Sequence, residues 1–182
     1  MLPLRHIPNG LCLLRMLLVI PVTGLLLQEQ FVLTLGVFAV AAVTDGLDGF
    51  LAKRFGWCSE LGKILDPLAD KLLLVALFLT ATWINLLPWW LTAAVVARDV
   101  MIGGGAVIYR VFYGPLHGRP TILSKINTGM QLAVALAAIL GAASGLPTKE
   151  MVTALAAVTL LTTIISGADY VTVFTRRALA TQ

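Results

Sequence analysis

Along this chain the polar residues come in short bunches. Between them lie six apolar runs, each close to the ~20 residues a helix needs to cross the hydrocarbon core of a bilayer. Runs of that length are too long for strands and too uniformly apolar for helices that bury only one stripe. They predict an all-α, polytopic membrane protein with six transmembrane helices. The runs fall at about Asn9 to Leu27, Phe31 to Arg54, Glu60 to Ile84, Pro88 to Phe112, Ile122 to Ala143 and Lys149 to Thr175. Pro8 stands just before the first run. There is no internal repeat and no low-complexity stretch, so residues 1–182 read as a single membrane domain.

Composition agrees with the pattern. The 182 residues are 59% hydrophobic and 12% charged, and mean hydropathy is +0.94, too little polar surface for a soluble domain of this length. Charge then sets the topology, because short cytoplasmic loops collect Lys and Arg. With the N-terminus inside, Arg5, Lys53, Arg54, Lys63, Arg110, Arg119, Lys125, Arg176 and Arg177 all fall at inner ends, and the outer turns around QEQ, INLLP and SGLPTKE hold only Lys149. Both termini are therefore expected on the cytoplasmic side. Trp57, Trp83, Trp89 and Trp90 sit at predicted helix ends, as interfacial anchors do.

The net charge of +4 comes mostly from this inner belt, which suits anionic lipid head groups. With no soluble basic domain, nucleic acid is not an expected partner. Arg5 and His6 before an apolar run resemble a signal peptide, but Arg15 interrupts the run and no small-residue cleavage site follows. The segment reads as a retained first helix, and no transit segment precedes it. The expected location is a bacterial inner membrane, with the chemistry facing the cytoplasm. Cys12 and Cys58 have neither metal-ligand nor redox spacing and read as small apolar residues.

One stretch breaks the apolar pattern. Residues 44–71 read TDGLDGFLAKRFGWCSELGKILDPLADK and place Asp45, Asp48, Asp66 and Asp70 at the facing ends of the second and third runs. A carboxylate within a span costs roughly 2.5–3.5 kcal/mol on insertion scales, and such residues are usually functional. Asp45 and Asp48 are three apart and Asp66 and Asp70 four apart, so each pair shares one face of its helix. A short basic loop joins the two helices. They are expected to be antiparallel neighbours whose carboxylates face each other near the cytoplasmic surface. Such a cage, without histidine or thiolate, suits Mg²⁺, Mn²⁺ or Ca²⁺ rather than zinc. It can hold two divalent ions ~3.5–4 Å apart, an arrangement used for displacement at phosphorus. Gly46, Gly49, Ala52 and Gly62 leave space beside it, either for close helix packing or for a phosphate-bearing ligand.

This stretch resembles the CDP-alcohol phosphotransferase signature D-x2-D-G-x2-A-R-x8-G-x3-D-x3-D. It carries Asp45, Asp48, Gly49, Ala52, Gly62, Asp66 and Asp70 at every spacing, and it departs only where Lys53, followed by Arg54, replaces the arginine. The six-helix layout is similar as well. The resemblance implies transfer of a phosphatidyl group from CDP-diacylglycerol to an alcohol, release of CMP, two divalent cations (Mg²⁺ or Mn²⁺) and a homodimer. It implies Asp45, Asp48 and Asp66 as metal ligands and Asp70 as both ligand and general base. Asp45, Gly49, Ala52, Lys53, Ser59 and Gly62 would bind CDP-diacylglycerol. Lysine offers a point charge rather than a bidentate fork, so either Lys53 serves the diphosphate or Arg54 reaches in.

For the acceptor, Arg98 and Asp99 fall within the fourth run, where charges usually line a polar cavity. Arg98 suits an acceptor phosphate and Lys125 is a second candidate, with Arg54 a third; an ion pair and a topology signal are the structural alternatives for the first two. Within the family, ARDVM and RPTILSKINTGMQ look most like eukaryotic-type cardiolipin synthases, which use phosphatidylglycerol. Phosphatidylglycerophosphate synthases, which use glycerol 3-phosphate, are the close rival through IPN-x-L-x3-R and LDPLADK. Gly103, Gly104 and Gly105 would allow either a groove for a lipid chain or tight helix packing. A small cation or proton transporter is the remote alternative, since such proteins also bury acids; it gives no reason for glycine and alanine at fixed offsets.

Overall fold

The structure, a computed structural model, describes residues 7–55, 62–113 and 122–180, with side chains at 12–44, 68–106 and 122–172. It contains six helices, and no strand among the described residues: α1 (Ile7–Leu27), α2 (Phe31–Phe55), α3 (Gly62–Trp83), α4 (Trp89–Tyr113), α5 (Ile122–Ser144) and α6 (Lys149–Ala180). Each matches an apolar run to within a few residues. The largest difference is at α6, which continues past Thr175. TRRALA contains neither glycine nor proline, so nothing in it stops a helix.

The chain divides into two compact units, one of Met1–Leu86 with Ile139–Leu146 and one of Leu87–Ala138 with Pro147–Gln182. In the first, α1 packs against both α2 and α3. Its buried seam is Cys12, Arg15, Val19, Val22 and Leu26, a three-and-four spacing that keeps one face turned inward. α2 buries Thr34, Phe38, Ala41 and Thr44, and α3 buries Ala69, Leu73, Leu74, Leu77, Phe78 and Ala81. The two threonines are satisfied within their own helix, Thr34 Oγ1 donating to the Gln30 carbonyl at 2.9 Å and Thr44 Oγ1 to that of Ala41 at 2.7 Å.

In the second unit α4 packs on α6. Gly167 allows the approach, since a Cβ there would lie 3.3 Å from Met101 Cε. Asn127 of α5 is fully buried. Its Oδ1 accepts hydrogen bonds from Thr162 Oγ1 at 3.0 Å and Thr163 Oγ1 at 2.9 Å, both on α6. At Gly103 and Gly104 an added Cβ would meet nothing within 4 Å, so close packing is not what those glycines serve among the described residues.

Beside the apolar core, several polar residues turn inward and many large apolar ones face outward. Arg15, Arg98, Asn127, Gln131, Thr159, Thr163 and Ser166 are buried, whereas Ile20, Val32, Leu79, Val100, Ile126 and Ile164 are exposed. Two helical stretches, Ile122–Ser144 and Lys149–Thr172, are long and apolar enough to cross a membrane by length and composition. Cys12–Leu27 and Phe31–Thr44 are shorter apolar stretches; the second ends where Asp45 begins the acidic segment.

Three links close with a left-handed residue. After α1, Glu29 at φ 57° is flanked by hydrogen bonds from Gln30 N to Leu25 O and from Glu29 N to Leu26 O, both 3.0 Å. After α3, Asn85 at φ 58° has the same pattern, from Leu86 N to Ala81 O and from Asn85 N to Thr82 O. This Schellman arrangement satisfies the last carbonyls of a helix. Gly145 at φ 82° ends α5 with one bond to the Gly141 carbonyl at 2.9 Å. A Cβ at Gly145 would meet no atom within 4 Å, so its substitution costs only backbone conformation. Gly145→Ala is expected to lower stability by about 1–2 kcal/mol, read as a lower melting temperature in detergent. Gly36→Ala, at an exposed helical position with the same open space, is expected to be neutral or mildly stabilising.

Candidate active site

The acidic segment is built on helix register. On α2 the buried spacing Thr34, Phe38, Ala41, continued along the helix, arrives at the positions of Asp45 and Asp48. On α3 the buried turn at Ala69 and Leu73 brackets Asp70, and Asp66 lies one turn before it. All four acidic positions are helical. The side chains of Asp45, Asp48, Gly49, Ala52, Lys53, Arg54, Gly62 and Asp66 lie outside the described residues, as does Ser59 altogether.

Asp70 is described, and it has a partner across the unit. Arg15 Nη1 donates to Asp70 Oδ1, a direct ion pair between α1 and α3. The Arg15 side chain is 1% exposed and that of Asp70 47%, so the carboxylate reaches from a buried cation toward an accessible space. Each residue lies about two turns into its helix. Sequence reading expects α2 and α3 to present their acids directly to one another; among the described contacts, the helix both share is α1. Of the four acids, Asp70 is the one with a described contact to α1, the helix that packs against both α2 and α3.

That cation was legible in the sequence only as part of IPN-x-L-x3-R and as a charge interrupting an apolar run. Its three-and-four spacing with Cys12, Val19 and Val22 is the signal that places it on the buried face. The four aspartates of the segment, all oxygen donors, fit hard divalent cations. Asp70 is the described member, and its half-exposed carboxylate is compatible with ligation.

Two of the acceptor candidates, Arg98 and Lys125, belong to the second unit. Arg98 of α4 is buried and holds three side chains. Its Nη1 donates to Asp99 Oδ1 at 2.8 Å, and its Nη2 donates to Ser124 Oγ of α5 at 2.8 Å and to Ser166 Oγ of α6 at 2.7 Å. The Tyr170 ring centroid lies 5.8 Å from its Cζ, within cation–π range. The ion pair with Asp99, one of the two readings open in the sequence, is present. The serines and Tyr170 went unread because single polar residues in a helix carry no sequence signal of their own. Lys125 follows Ser124 and is exposed. Arg98 Nε, Asn127 Nδ2 and both amide ends of Gln131 are buried without a hydrogen-bond partner among the described residues.

Comparison with known proteins agrees with the chemistry of the segment. A family model described as CDP-alcohol phosphatidyltransferase matches residues 5–166. The chain is 39% identical over 152 residues to human cardiolipin synthase (CMP-forming), covering 73% of this chain and 50% of that protein. It is 33% identical over 177 residues to a probable phosphatidylglycerophosphate synthase of Mycobacterium tuberculosis, covering 92% and 81%. To the CDP-diacylglycerol–glycerol-3-phosphate 3-phosphatidyltransferase of Escherichia coli it is 35% identical, covering 74% and 76%. The chain thus matches about half the length of the human protein and most of the two bacterial ones. An all-helical chain with the spaced acidic segment, matched by this family model over most of its length, belongs to the CDP-alcohol phosphatidyltransferase family.

Proposed function

We propose that the protein transfers a phosphatidyl group from CDP-diacylglycerol to phosphatidylglycerol, making cardiolipin and CMP. The observation that carries this reading is the 39% identity to human cardiolipin synthase, together with the ARDVM and RPTILSKINTGMQ segments. A second reading is synthesis of phosphatidylglycerophosphate from glycerol 3-phosphate. It is favoured by the two bacterial relatives, whose lengths the chain covers more fully.

In either reading one P–O bond forms and one breaks. The acceptor hydroxyl oxygen attacks the phosphatidyl phosphorus, its proton passes to the Asp70 carboxylate, and the bond to the CMP oxygen breaks. Asp45, Asp48, Asp66 and Asp70 would hold two divalent cations, Mg²⁺ or Mn²⁺, which supply charge neutralisation at the diphosphate when bound. Asp45, Gly49, Ala52, Lys53, Ser59 and Gly62 would receive the cytidine diphosphate, with Lys53 or Arg54 against its charge. Arg98, with one donor nitrogen unpartnered, and Lys125 are the proposed acceptor contacts, with Arg54 as a further one. Gly103, Gly104 and Gly105 would leave room for an acyl chain of a lipid acceptor.

The outward apolar residues on all six helices and the basic residues at alternate ends support six spans with both termini in the cytoplasm. An active site at the inner face of a bacterial inner membrane lets the nucleotide stay in water and the acyl chains in lipid. A homodimer, as the family resemblance implies, completes the reading.

Three outcomes are expected. Purified protein given CDP-diacylglycerol with phosphatidylglycerol or with glycerol 3-phosphate should yield cardiolipin from the first; phosphatidylglycerophosphate from the second alone would establish the rival. Asp70→Asn should lower kcat by at least ~10²-fold, the low end for loss of a general base, while CMP still binds; near-normal turnover would remove its role. Excess chelator should stop CMP release and added Mn²⁺ or Mg²⁺ should restore it, whereas undiminished turnover in chelator would rule out the two-cation site.

A further inference from the structure

We infer that Gln131, with Asn127 one turn before it on α5, forms a subsite for the unreacted hydroxyl of a glycerol acceptor. The inference rests on the reading of Arg98 as the contact for the acceptor's phosphate, and every residue it uses belongs to the second unit. Both amide side chains are fully buried. They stand four apart and so share one face of α5. Ser124, which accepts from Arg98 Nη2, lies three before Asn127 on that helix. The partners on α6 keep step: Ser166 also accepts from Arg98 Nη2, and Thr162 and Thr163, one turn earlier, donate to Asn127 Oδ1. A polar seam thus runs from the guanidinium to the level of Asn127, a rise of about 4.5 Å along α5, and on to Gln131.

The seam leaves a particular set of atoms unmet. Arg98 Nε, Asn127 Nδ2, Gln131 Nε2 and Gln131 Oε1 are buried with no hydrogen-bond partner among the described residues. A buried polar group in that state carries its full desolvation penalty, which an apolar side chain of similar shape avoids. The unmet atoms also specify their ligand. A phosphate only accepts, so it would leave Gln131 Oε1 without a donor, and an acyl chain satisfies none of the four. A hydroxyl both donates and accepts, which matches an amide that presents N–H and C=O together. Phosphatidylglycerol and glycerol 3-phosphate share this group: the phosphate is at one end of the glycerol, the reacting primary hydroxyl at the other, and a secondary hydroxyl lies between. With the phosphate at Arg98, that secondary hydroxyl falls to the next level of the seam. The seam is closed over these atoms and must part to admit the acceptor. Their unmet hydrogen bonds weigh against the closed form, and the hydroxyl restores them.

The test uses the full-length protein in detergent with CDP-diacylglycerol and two pairs of acceptors. Phosphatidylglycerol and glycerol 3-phosphate are each compared with an analogue lacking only the secondary hydroxyl. For whichever acceptor is used, the parent is expected to prefer the natural compound by ~10- to 100-fold in kcat/KM, the range for leaving buried polar groups unpaired. In Gln131→Leu the preference should shrink to about threefold or less, through poorer use of the natural acceptor, with calorimetric binding of CMP within about twofold of the parent. Because Gln131 has no described partner to lose, the variant's Tm should equal or exceed that of the parent.

A parent that uses the analogue as well as the natural acceptor overturns the inference. A Gln131→Leu protein that keeps the parent's preference also overturns it, whatever its Tm, because the hydroxyl is then read elsewhere. An equal loss on both members of a pair assigns Gln131 to folding and has the same effect. If Gln131→Leu does not fold, Gln131→Met takes its place, and the comparison of acceptors on the parent needs no variant. Product from the phosphatidylglycerol pair identifies a lipid as the source of the hydroxyl, and product from the other pair identifies the soluble phosphate. If neither natural acceptor yields product, the functional reading fails and takes this inference with it; turnover without discrimination overturns this inference alone.

Discussion

A charge that cannot be neutralised must be matched wherever the chain buries it, and the first unit is organised around one such charge. Arg15 lies on the packed face of α1, the helix against which both acidic helices rest. Desolvating a guanidinium costs several kcal/mol unless an anion is held close to it. That requirement fixes which turn of α3 must lie beside which turn of α1, and Asp70 stands at that turn. The carboxylates of the acidic segment impose the reverse requirement, because four negative charges need cations. Among the described residues the segment is tied to α1 through the Arg15–Asp70 pair.

The second unit meets the same constraint with a different geometry. Arg98 joins three helices through one side chain: Asp99 on its own helix, Ser124 on α5 and Ser166 on α6. Neighbouring residues on a helix do not normally face each other. The pairing with Asp99 is possible because the guanidinium is long enough to turn back, and the serines occupy its other amino group. Asn127 repeats the theme one turn along α5, accepting from two threonines of α6. Those hydroxyls also donate back to the Thr159 carbonyl, so each has an alternative within its own helix.

What the sequence made legible follows from the range of the interactions. Helix positions are written locally, in apolar runs and in the turns between them, and the observed limits follow the runs closely from α1 to α5. The extension of α6 was missed because a polar sequence of good helix formers looks like the end of a span although nothing breaks the helix. The site divides in the same way. Asp70 was readable because four acids at fixed spacing are rare in apolar helices. Its partner lies 55 residues away, and a pairing at that distance is a property of packing, which no local pattern encodes. Ser124, Ser166 and Tyr170 were unreadable for the same reason.

The inverted distribution of polarity has a consequence for how such a molecule holds together. Once apolar residues such as Ile20, Val32 and Ile164 face hydrocarbon, they gain little by leaving lipid for one another. Helix association then rests on close packing and on inward hydrogen bonds. Inward polar contacts such as those of Arg98 and Asn127 add to the packing of the buried apolar residues. Any ligand that engages the buried polar groups adds to these contacts, and binding selectively to the folded state stabilises it.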